Sequence, residues 1–234
     1  MTDEDEPELP EEFSDRFAGR RDWRERLDES RDMGLGYAAP GGQFTRALYE
    51  ACLARRAGNL PGALKGQSVV ELGAGMMPHG YLIATTFEAK DYLAIEPYYA
   101  DVLLKTLRQA IEEQKHVIPE IPWKISSDDM LTALRKIPDE SVSVLACGIE
   151  DCILPDAEYK AAVESEISRV LSETGVFASS HSDLHPKGLR EETFEFQRIG
   201  SELKDRLRLH RKEEAYLRQQ ANPFGKEFDL GEGR

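Results

Sequence analysis

The chain has 234 residues, 40% of them apolar, and a formal charge of −14, enough for one large domain with a full core, or one domain plus an extension. It contains no uninterrupted apolar run of about 18 residues, and "MTDEDEPELPEE" lacks the basic-then-apolar order of a secretory leader. A cytoplasmic protein with no membrane partner is expected. The acidic balance disfavours nucleic acid, whose binding needs cationic surface, and Cys52, Cys147 and Cys152 show neither the density of a disulfide scaffold nor the paired spacing of a zinc site.

Residues 1–12 hold seven acids and no Lys or Arg, the composition of a disordered acidic tail. Phe13, Phe17, Trp23 and Leu27 then recur at roughly helical intervals. "GLGYAAPGGQ" reads as a loop, and "FTRALYEACLARRAG" as a helix ended by Gly58. Residues 13–66 are therefore expected to form a helical cap. Its glycine-rich segment, residues 34–44, is placed to close as a lid, with Tyr37 or Phe44 against a ligand.

From Ser68 onward short apolar runs alternate with helical stretches, the pattern of a parallel sheet wound on both faces. The predicted strands are "SVVEL", "DYLAIEP", "PWKISS", "SVSVLACG" and "GVFASSHS", separated by four helical crossovers. This gives an α/β fold with a doubly wound, mostly parallel sheet over residues 67–183. Beyond it Phe196, Ile199, Leu203 and Leu207 step by three or four, which predicts a mainly helical extension over 184–234, although "TFEFQRI" alone alternates like a strand. "GRRDWRER" and "KDRLRLHRK" are local basic runs, read first as solvated helix faces.

"VVELGAGMMPHG", residues 69–80, ends a buried strand in a glycine turn, where backbone N–H groups and close approach favour a ligand. In an open α/β sheet such ligands sit at the carboxyl ends of the strands. Glu71 stands two residues before Gly73, and Glu96 ends the second strand 21 residues after Gly75, where an acid takes the ribose hydroxyls of a nucleotide cofactor. Asp128 and Asp129 end the third strand beside the same crevice. They suit either an adenine amino group or the N-cap of the next helix.

Four segments in this order, "VVELGAG", "YLAIEP", "SSDD" and "EISRVLSETGVFASS", resemble the class I S-adenosylmethionine-dependent methyltransferases. The resemblance covers roughly residues 67–183 and implies a Rossmann-like methyltransferase fold with S-adenosylmethionine as cofactor. It also implies that Glu71 holds the cofactor's amino-acid end, that Gly73 and Gly75 pack beneath it, and that Glu96 takes the ribose. An NAD-dependent Rossmann enzyme is the nearest rival. It needs a third glycine where this chain has Pro78.

A sulfonium methyl needs an aligned acceptor more than a protein nucleophile, so a base is the useful extra. Glu150, Asp151 and His181 are the candidates, with Asp183 and His185 nearby. "HSDLH" offers three ligand types on one short loop, and no metal is predicted from it. The fourth strand ends "ACGIED", without the Asn-Pro-Pro-aromatic signature of the families that methylate exocyclic or amide nitrogens. The expected acceptor is a small molecule or a protein side chain, with nucleic acid third. The family's sheet usually ends in an antiparallel hairpin, and a helical C-terminus would leave that edge incomplete. That departure supports an alternative reading, a non-catalytic binding module acting through its C-terminal helix. Neither the acceptor atom nor the oligomeric state is legible.

Overall fold

The structure, a computed structural model, describes residues 60–76, 78–114, 119–149, 154–197, 204–214 and 216–217. The acidic tail, the lid at 34–44, Cys52, Cys152, Glu150 and Asp151 lie outside the described residues, as does most of the expected 13–66 cap. In chain order the elements are α1 (Leu60–Leu64), β1 (Ser68–Leu72), α2 (His79–Thr86), β2 (Asp91–Ile95), α3 (Ala100–Gln114), β3 (Trp123–Ser126), α4 (Met130–Arg135), β4 (Val142–Cys147), α5 (Ala157–Val170), β5 (Phe177–Ser180), β6 (Arg190–Gln197) and β7 (Lys204–Arg211).

The seven strands form one sheet in the order β3-β2-β1-β4-β5-β7-β6. β1 to β5 are mutually parallel, and β7 runs antiparallel to both β5 and β6. Alternation along the strands sends side chains to two separate cores. On one face Val69, Tyr92, Leu145 and Ala178 join Leu60 and Leu64 of α1, Ile83 of α2, and Leu103 and Leu107 of α3. On the other, Val70, Val144 and Phe177 join Leu131 and Leu134 of α4 with Tyr159, Val163, Ile167 and Val170 of α5. These α5 residues recur every three or four positions, as one buried helical stripe requires. Asp156 caps α5 by accepting the Tyr159 N–H at 2.7 Å, which satisfies one of the donors that a helix start leaves free.

Strand β1 shows how a carboxylate is tolerated in such a core. Burying Val69, Val70 and Leu72 contributes roughly 1.5–3 kcal/mol each. Together they exceed the roughly 1–3 kcal/mol that an imperfectly bonded polar group costs, so the strand stays folded with Glu71 inside it.

The five strands and four crossovers appear where the sequence predicts them. The mainly helical extension over 184–234 does not: residues 190–197 and 204–211 form an antiparallel hairpin. In "RLRLH", Leu207 and Leu209 are fully buried while Arg206 is exposed, a period of two rather than 3.6. Pairing decides the outcome, because β5 would otherwise be a bare edge with unsatisfied backbone groups, and β7 fills it in the register Phe177↔His210. The hairpin therefore completes the sheet rather than extending beyond it. No helix among the described residues is long and apolar enough to cross a membrane.

Candidate cofactor site

The strand order reverses between β1 and β4, so the chain leaves these two neighbours in opposite directions and opens a crevice at their carboxyl ends. The glycine turn lies there. Gly73 and Gly75 have φ of 60° and 66°, backbone that disfavours a side chain, and a Cβ at Gly73 would come 2.5 Å from Ile149 Cδ1. The β1 turn thus packs directly on the segment that follows β4.

Glu96, buried at the end of β2, ties this turn to the neighbouring strand. Its Oε2 accepts the Gly75 N–H at 2.7 Å, and its Oε1 accepts the N–H groups of Tyr98 and Tyr99 at 2.9 and 3.1 Å. Burial raises its pKa above the ordinary value, and the three N–H donors oppose that rise. A carboxylate offers about four acceptor sites. With three filled by described residues, Glu96 has capacity among them for one hydroxyl more; gripping two would require exchange of a backbone bond.

Glu71, 6% exposed, points under α2. Its Oε2 accepts the Tyr92 hydroxyl in a short hydrogen bond, and the Gly80 N–H bonds the same carboxylate. Desolvation pushes its pKa from 4.5 to about 8, with the Tyr92 bond opposing the shift and Glu96 adding to it. Space for this carboxyl exists because position 80 is glycine, where a Cβ would lie 2.2 Å from Glu71 Oε2. Two neighbouring carboxyl groups with raised pKa make the turn a place where a cation would be welcome.

The two acids after β3 divide between roles. Asp129 is the N-cap of α4, its Oδ1 accepting from Leu131 N, Thr132 N and the Tyr159 hydroxyl at 2.9, 3.2 and 2.8 Å. Asp128 accepts from Ser126 Oγ at 2.7 Å and from Lys136 Nζ at 2.9 Å, contacts that hold its carboxyl below the ordinary range. Asp128 is the more accessible of the pair and the better placed for a ligand.

Of the three candidate bases, His181 is described. It follows β5 directly, half-buried, in the left-handed region with φ of 47°, a conformation uncommon outside glycine, Asn, Asp and His. Asp183 N–H donates to Ile149 O at 2.7 Å, and Gly148 N–H to Ser180 O at 3.0 Å. These bonds hold the loops after β4 and β5 together beside the crevice. His185 lies elsewhere, against the hairpin. Sequence reasoning missed Tyr92, Gly80 and Ile149. The first carried a legible signal, since it stands on the strand next to Glu71, two positions before Ala94, with which Glu71 pairs.

No family model matches the chain, and no curated protein matches it. Among solved structures it is similar to a spermidine synthase from Thermotoga maritima, 11% identical over 65% of this chain and 55% of that one, with a TM-score of 0.45. It is also similar to a SAM-dependent methyltransferase from Leishmania major, 16% identical over 77% of this chain and 75% of that one, with a TM-score of 0.48. The chain thus spans little more than half the length of the synthase. Strand order carries the fold assignment instead: with β3-β2-β1-β4-β5-β7-β6, β7 alone reversed, and a glycine turn closing β1, the chain has the Rossmann-like fold of the class I S-adenosylmethionine-dependent methyltransferases.

Proposed function

We propose that the protein transfers a methyl group from S-adenosylmethionine to a small molecule or a protein side chain. The observation that carries this reading is the Glu96–Gly75 bond, which places a buried acid with one open acceptor site against a left-handed glycine turn at the crevice. These residues fit the cofactor. Glu96 would take a ribose hydroxyl, Asp128 the adenine amino group, and the turn at Gly73 and Gly75 would leave room for close approach. Glu71, already bonded to Tyr92 and Gly80, would answer the cofactor's ammonium through its remaining acceptor capacity. When bound, the cofactor supplies a sulfonium methyl activated for in-line displacement.

The chain's own task is to hold an acceptor in line and to exclude water. His181 stands on the acceptor side, at the end of β5, where it can take a proton from an amine or hydroxyl acceptor; Glu150 and Asp151 extend the same side in sequence. The complete hairpin removes the observation that favoured a non-catalytic module, an unfinished sheet edge. The test is incubation with S-adenosylmethionine and fractionated small-molecule and protein acceptors, with demethylated cofactor as the readout. Product formation that is lost in Glu96→Ala supports the proposal. Cofactor binding without turnover on any acceptor would return the module reading to first place.

A further inference from the structure

We propose that His185, Glu191 and His210 form a binding site for a divalent transition-metal ion such as Zn2+, bridging the loop after β5 to the β6–β7 hairpin. Their ligand atoms all lie within 4.8 Å of one another. His210 Nε2 is 3.1 Å and His185 Nδ1 3.5 Å from Glu191 Oε2. Ligands at 2.0–2.2 Å from a tetrahedral zinc ion stand about 3.3 Å apart, so these two separations already suit one ion. Two imidazoles and a carboxylate are also the donor types such ions select.

The site is built into the fold. Glu191 and His210 face each other in the β6–β7 register. His210 is 2% exposed, with its ring held 5.2 Å from that of Phe177. Its Nε2 faces Glu191 and its Nδ1 has no hydrogen-bond partner among the described residues, so Nε2 is the nitrogen that His210 presents to the cluster. His185 is anchored by its backbone N–H, which donates to Glu164 Oε1 of α5 at 2.8 Å. Since His210 pairs with the first residue of β5, the cluster sits toward the amino ends of the parallel strands, away from the glycine turn. An ion here would pin the crossover after β5 to the sheet edge without touching the cofactor crevice.

Arg208 is the internal competitor. Its guanidinium lies 2.7 Å from His185 Nε2 and also donates to Ser182 O. A metal on Nδ1 puts the ring proton on Nε2, where it would face a group with donors only. The Arg208–His185 bond and the metal therefore exclude each other, whereas an acceptor beside His185 Nε2 would favour ligation through Nδ1. Arg208→Gln supplies such an acceptor and removes a positive charge.

The test is calorimetric titration of the full chain with Zn2+, alongside His185→Ala, Glu191→Gln and Arg208→Gln, each checked by circular dichroism. His185 and Glu191 are exposed, so their variants keep the fold. One saturable equivalent is expected, weakened about tenfold or more in His185→Ala and Glu191→Gln and tightened about tenfold in Arg208→Gln. Absence of saturable binding, or binding unchanged in both His185→Ala and Glu191→Gln, as ligation by the cysteines would give, overturns the site. Weaker or equal binding in Arg208→Gln overturns the competition that defines it.

Discussion

The Tyr92 hydroxyl donates to the Glu71 carboxyl inside the sheet, one strand over and two residues ahead of the glycine turn. That bond is the main contact opposing the desolvation that lifts Glu71 from 4.5 to about 8. Between those values the folded protein keeps a proton that the unfolded chain has released. The Glu71 contribution to stability is therefore full below 4.5 and is lost as pH rises through 8. Urea unfolding across that window should show stability falling with pH, and Glu71→Gln, neutral throughout, should flatten the slope. An equal slope in the variant would place the titrating group elsewhere.

Tyr92→Phe removes the donor and leaves the carboxyl buried with one partner fewer. A loss of about 1–3 kcal/mol in unfolding free energy is expected, measured at a pH below 4.5, where Glu71 is neutral in both states. A loss under about 0.5 kcal/mol would show that the bond is not formed in solution.

Gly80 provides a test with an inverted sign. Alanine is ordinarily better than glycine in a helix, by up to about 1 kcal/mol in its interior, and Gly80 stands in the first turn of α2. At position 80, a Cβ would stand 2.2 Å from Glu71 Oε2, and that carboxyl is tethered by Tyr92. Gly80→Ala should destabilise the protein, whereas in a Glu71→Ala background the same change should be neutral or favourable. Additive effects in the double-mutant cycle would mean that the two positions do not touch.

The arginines of β7 should separate by burial. Arg206 is exposed and pairs with Glu195 at 3.5 Å, a contact worth about 0–1 kcal/mol. Arg211 is buried and pairs with Glu192 at 3.0 Å, and burial lowers its pKa. Arg211→Ala should cost more than Arg206→Ala by thermal unfolding, and neither should show the steep salt dependence of a phosphate-binding surface. Salt-dependent nucleic-acid binding lost in Arg206→Glu would restore that class of partner.

Much of this is legible in the amino-acid sequence. The strands from Ser68 to Ser180 announce themselves as short apolar runs between helical stripes, and the spacing of Gly75 and Glu96 names two residues that meet at 2.7 Å. Two things were hidden for physical reasons. The hairpin was masked because Phe196, Leu203 and Leu207 also satisfy a helical step, and only the open edge of β5 breaks the tie. The inward turn of Glu71 was masked because it depends on Tyr92 and Gly80, brought close by parallel pairing and by α2, which no local pattern encodes.

The most direct test of the proposed cofactor site is isothermal titration of the protein with S-adenosylmethionine, its demethylated product and NAD, repeated on Glu96→Ala. Saturable binding of the first two is expected, weakened in the variant by about 1.5–3 kcal/mol through loss of charge-assisted hydrogen bonds, with no binding of NAD. Binding of NAD alone, or S-adenosylmethionine affinity unchanged in Glu96→Ala, would contradict it.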